Sequence, residues 1–118
     1  MTAPSWDGGV GRLYQRCAAL IRKQGYATFA RLAWEFPEHF KDGDIAIVDT
    51  DRNIVIWTEM SDCGATVARL MIKDFNPKPC SILFYWRWGR LLRLPRAKLG
   101  RTYERSHWLP IVFRRVAP

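Results

Sequence analysis

The spacing of apolar residues changes period along this chain, and that change constrains the fold more than any other feature. Val10, Leu13, Tyr14, Cys17, Leu20 and Ile21 recur at helical spacing, with Arg12, Gln15, Arg16, Arg22 and Lys23 on the other face. The pattern predicts an amphipathic helix over residues 10–24, stopped by Gly25. A second helix is expected from Thr28 to Phe36: Thr28 caps it, Phe29, Leu32, Ala33 and Phe36 form its stripe, and Pro37 ends it. After a turn at Lys41-Asp42-Gly43-Asp44 the period shortens. Ile45 to Val48 and Ile54 to Thr58 are β-branched runs flanking the turn-prone Asp49-Thr50-Asp51-Arg52-Asn53, which predicts a hairpin. Helical spacing then returns. Ser61 and Asp62 open a third helix to about Phe75, burying Val67, Leu70, Met71 and Phe75, and Asn76-Pro77-Lys78-Pro79 breaks it.

The last third reads as β-structure. Ser81 to Leu94 holds two β-prone runs that meet at Trp88-Gly89. A two-residue loop there predicts a hairpin pairing Arg87 with Arg90, Trp86 with Leu91 and Tyr85 with Leu92. Ile82, Phe84 and Trp86 would share one face, and Leu83 and Tyr85 the other, so the first strand is expected to be central, with Trp88 exposed at the tip. Arginines facing each other at that tip are unfavourable unless a counter-charge arrives. Residues 95–106 are expected to form an exposed basic loop, Trp108 to Phe113 a final strand, and Arg114-Arg115 the close of the chain. The expected fold is α+β: N-terminal helices, a β-hairpin, a third helix, then a C-terminal hairpin and strand in a small antiparallel sheet. We expect one domain over residues 1–118, with residues 1–9 flexible. A chain of 118 residues, 48% hydrophobic and 25% charged, supports one core of this kind.

Charge is unevenly placed. Residues 1–85 hold ten Lys/Arg and ten Asp/Glu, whereas residues 86–118 hold nine Lys/Arg against Glu104 alone, which is the entire formal net charge of +8. Such asymmetry points to a polyanion or to an acidic patch on a protein. The candidate contacts are Arg87, Arg90, Arg93, Arg96, Lys98, Arg101 and Arg105, with Trp88 placed to stack on an unpaired base.

The order of elements resembles, in topology alone, a winged-helix domain, with Ser61–Phe75 as the helix and Leu83–Leu94 as the wing. That resemblance implies a helix in the major groove and a hairpin touching backbone or minor groove. The chain departs from it through the hairpin at 45–58. Its helix also offers only Arg69 and Lys73 beside Asp62 and Asp74. These departures direct the expectation to backbone contacts by the wing and loop.

Catalytic and metal chemistry find little support. Cys17, Cys63, Cys80, His39 and His107 show no Cys-x-x-Cys or His-x-x-x-His spacing, so no metal or other cofactor is expected. Asp42/Asp44 and Asp49/Asp51, with Glu59 further on, read as turn and cap chemistry. Nothing local joins Cys63 to His107 as nucleophile and base, and Gly8-Gly9-Val10-Gly11 follows no strand. No apolar run approaches the roughly 20 residues of a membrane span, and the start of the chain lacks a secretory pattern. Three widely spaced cysteines read as reduced thiols in a cytoplasmic protein. The expectation is a non-enzymatic, basic nucleic-acid-binding protein of regulatory kind, for DNA or RNA. The alternative is a phage- or plasmid-encoded inhibitor, of the anti-CRISPR kind, that docks on an acidic surface of a host protein complex.

Overall fold

The structure is a computed structural model that describes residues 9–115, so the flexible lead expected at residues 1–9 lies, but for Gly9, outside the described residues. The fold is α+β. Helix α1 (Val10–Gln24) ends at Gly25 and leads through strand β1 (Tyr26–Thr28) into α2 (Phe29–Glu35). Thr28 caps α2 by accepting the Arg31 N–H at 3.3 Å. Pro37 does not leave a loop behind it: it starts a further helical turn, α3 (Pro37–Phe40). The hairpin forms as the β-branched runs predict, with β2 (Ile45–Asp49) antiparallel to β3 (Ile54–Met60). Helix α4 (Asp62–Phe75) follows, its Ser61 cap accepting the Gly64 N–H at 3.0 Å. Gly64 has to be glycine there, because a Cβ would fall 2.1 Å from the His39 carbonyl oxygen.

The C-terminal hairpin does not form. After the two-residue strand β4 (Lys78–Pro79), residues Leu83–Trp86 make a helical turn, α5, and no strand follows until β5 (His107–Trp108). Arg87 therefore does not face Arg90 across a ladder, and residues 83–94 are not a wing. Gly89, with φ +69°, marks the expected chain reversal but closes a helical turn rather than joining strands. The cause is tertiary. Of residues 82–86 Tyr85 is fully buried and Ile82 and Phe84 pack partly buried against the core, while Leu83 and Trp86 face outward, so the segment does not present the two apolar faces of a central strand. Ser81 reinforces the turn by accepting the Leu83 N–H at 3.2 Å.

Two three-stranded sheets replace the single antiparallel one. One runs β1-β6-β4 and is antiparallel; the other runs β2-β3-β5, with β5 parallel to β3. The expected last strand is split into β5 and β6 (Ile111–Arg114) by Pro110, which lacks an N–H for any ladder and lies where the chain crosses between sheets. An aromatic core lies between the sheets and helices. Phe29 stacks on Trp57 at 5.7 Å, Tyr85 meets Trp108 edge-on at 4.9 Å, and Phe113 meets Phe29 edge-on at 5.3 Å.

Candidate nucleic-acid interface

Tyr85 decides what the basic segment presents. Its hydroxyl donates to the Ile111 carbonyl at 2.7 Å and accepts the Phe29 N–H at 3.4 Å. Burial pushes that hydroxyl's pKa well above the ordinary tyrosine value. With Tyr85 pinned inward, the helical turn projects Leu83 and Trp86, which are 61% and 66% exposed, and Arg87 beside them. Trp88 does not stand at a free tip. It is half-buried, its ring 5.9 Å from that of Trp34 at 55°, and the Arg31 guanidinium lies 4.2 Å over it. Glu35 holds Arg31 at 2.9 Å. Trp34 itself is 67% exposed.

Arg90 is not free either. It forms an ion pair with Glu59 and lies 5.9 Å from the centre of the Trp57 ring, while its Nε is buried without a partner. Glu59 holds a left-handed backbone, φ +59°, at an irregular stretch of the β2–β3 pairing. Between α2 and residues 88–90 opens a cleft of about 420 Å³, floored by Ala30 and Ala33 and lined by Trp34, Trp88, Lys41 and Arg90.

The remaining predicted residues lie elsewhere. Arg93 borders a shallow hollow beside Thr58 and Glu59, and Arg96, Lys98, Arg101 and Arg105 sit on the 95–106 loop. Among the described residues none of these five makes an ion pair. The loop is tied to the β2–β3 turn. Asn53 Nδ2 donates to the Tyr103 carbonyl at 2.7 Å, and the Tyr103 N–H donates to the Arg52 carbonyl at 3.1 Å. The Lys98 N–H reaches the Tyr103 hydroxyl at 2.7 Å, and the Tyr103 ring stacks on His107 at 3.7 Å. Strand β3 thus carries Arg90 at its Glu59 end and the basic loop at its Ile54 end, five residues or about 17 Å apart. The structure brings Arg87, Trp88 and Arg90 together and keeps them apart from the loop cations.

Three contributors to the surface around Trp88 went unread in the sequence: Arg31, Trp34 and Lys41. For Trp34 a signal existed. It falls off the Phe29, Leu32, Ala33, Phe36 stripe, so a large indole was bound to face outward from α2. Among the described residues no group of three or more His, Cys, Asp or Glu gathers as metal ligands. Asp49 accepts the Arg52 N–H at 3.4 Å, as turn chemistry requires. The cysteines are all free thiols; burial pushes Cys17 up to about 12 and Cys80 up to about 11. No helix among the described residues is long and apolar enough to cross a membrane. Comparison of the chain with protein-family models, with curated proteins and with solved structures found no match in any of the three.

Proposed function

We propose that this protein is a non-enzymatic, regulatory nucleic-acid-binding protein that prefers unpaired strands. The observation that carries the reading is the placing of the Trp34 and Trp88 indoles, the first of them 67% exposed, among Arg31, Arg87, Arg90 and Lys41. Aromatic faces flanked by cations suit successive bases and phosphates, and every base offers a face for stacking. A helix offering Arg69 and Lys73 beside two carboxylates gives little for a duplex groove, which favours single strands over duplex. The cytoplasm is the compartment where free thiols and nucleic acid coincide.

Binding of random-sequence single-stranded and duplex DNA and RNA, measured across salt concentrations, tests this. Single strands should bind more tightly, with affinity falling as salt rises, and Arg87→Ala should weaken every sequence alike. Absence of binding to any of these at low salt would falsify it. The second reading, an inhibitor docking on an acidic protein surface, is favoured by Leu83 and by Leu99, which is 71% exposed. Aliphatic side chains do not stack on bases, whereas Trp and Arg beside apolar contacts suit a protein interface.

A further inference from the structure

Trp88 lines two hollows, and they differ. The smaller, about 110 Å³, is shared with Arg31 and Arg87; the larger, about 420 Å³, includes Trp34, Lys41 and Arg90 but not Arg31. Arg31 lies over the Trp88 ring and lines the smaller hollow, whereas the larger cleft meets that ring where Trp34 adjoins it. The Arg31–Glu35 bridge and the Trp34 contact hold the ring in place before any ligand arrives. Ala30 and Ala33 at the base of the larger cleft are buried in the core, so its accessible apolar surface comes chiefly from the exposed Trp34 ring. Two cations line it: Lys41, exposed and without an ion pair among the described residues, and Arg90, whose buried Nε has no acceptor.

We infer that this cleft receives one unpaired nucleobase of a bound strand, stacked on an indole, with the adjoining phosphate on Lys41 and Arg90. The inference rests on the single-strand reading above and adds a base-sized pocket to it. The two indoles stand 5.9 Å apart at 55°, too close and too tilted to sandwich a base, so the base lies against the more exposed ring, Trp34. A volume of about 420 Å³ falls within the range of small-ligand sites. The phosphate competes for Arg90 with Glu59, the carboxylate that accepts from its guanidinium. A free nucleoside monophosphate carries the same chemistry, and the test separates it from a strand.

The experiment uses the full chain, a labelled 12-nucleotide thymidine strand, and the same backbone made wholly abasic. In the wild type, loss of the bases should weaken binding about five- to a hundredfold. Trp34→Ala should weaken binding of the thymidine strand by at least about fivefold and leave the abasic strand unchanged, and Trp34→Phe should restore most of the loss. Lys41→Ala should weaken both strands alike. Thymidine monophosphate displacing the strand from wild type but not from Trp34→Ala would assign the cleft to free nucleotides as well; failure to displace, with the base dependence intact, would assign it to strands. If Trp34→Ala weakens both strands equally, or neither, the cleft holds no base and the inference is overturned while strand binding stands. If the wild type binds neither strand at low salt, the broader reading fails with it.

Discussion

Trp57 has no accessible surface, stacks on Phe29 and donates its indole N–H to the Phe40 carbonyl at 2.9 Å. It also touches Tyr85 and Trp108, so it joins its own sheet to α2, α3 and α5. Trp57→Ala should cost about 3–5 kcal/mol. Urea unfolding should show a lower midpoint with an unchanged slope. A folded variant of normal stability that no longer binds would instead move Trp57 to the interface. The cysteines make a pH-dependent contribution at this scale. Burial raises Cys17 to about 12 and Cys80 to about 11, against an ordinary thiol value of 9.0. Between those values the unfolded chain binds fewer protons than the folded one, so stability is full below about pH 9 and falls as pH rises through the folded values. Tyr14, raised to about 12, acts in the same direction. A Cys17→Ala/Cys80→Ala variant should therefore lose stability less steeply than wild type between pH 9 and 11; parallel curves would contradict this assignment.

The segment at 83–95 is held onto β3 by the Glu59–Arg90 pair, at a strand position whose backbone is left-handed. Glu59 is about half exposed, so the pair is worth little in stability, on the order of 0–1 kcal/mol. Its larger effect is on the cleft, where Glu59 competes for the guanidinium that a phosphate would use. Glu59→Gln should leave the melting temperature nearly unchanged and tighten single-strand binding several-fold at low salt, an effect that shrinks as salt rises. Weaker binding would mean that the carboxylate positions Arg90 rather than opposing its ligand. Elements were legible where local and tertiary preferences agree. The caps at Thr28 and Ser61 and the apolar stripes of α1 and α2 point the same way, as do Val67 and Met71 of α4, though not Leu70, which is 40% exposed, and the β2–β3 turn with Asn53 in a left-handed conformation. At 81–88 they conflict. The run is strongly β-prone, but Tyr85 is fixed by Ile111, Phe29 and Trp108, and packing it on the same side as Ile82, three residues earlier, favours a helical turn. Arg87, Trp88 and Arg90 were legible because they adjoin in sequence. Trp34 joins them only through packing across more than fifty residues, which no local pattern encodes.

Across the whole molecule the net charge of +8 divides into two groups rather than one continuous patch. Arg87 and Arg90 sit with the indoles at one end of β3, and Arg96, Lys98, Arg101 and Arg105 sit on the loop at the other, about 17 Å along the strand. The loop is tied by Asn53 and Tyr103, so its cations hold their distance from the cleft instead of folding onto it. A short strand seated in the cleft cannot reach them, whereas a long one can cover both. Replacing all four loop cations with alanine should therefore leave a dinucleotide bound as in wild type and weaken a 12-nucleotide strand. For the longer strand, every phosphate that no longer meets a cation should flatten the log–log salt slope by about 0.7, approaching about three for all four. The fold should not change, because the four side chains make no ion pairs among the described residues and lie on a surface loop. Equal weakening of both strands would mean that the loop cations act by long-range attraction alone. No weakening of either would confine the interface to the cleft and free the loop for a different, acidic partner.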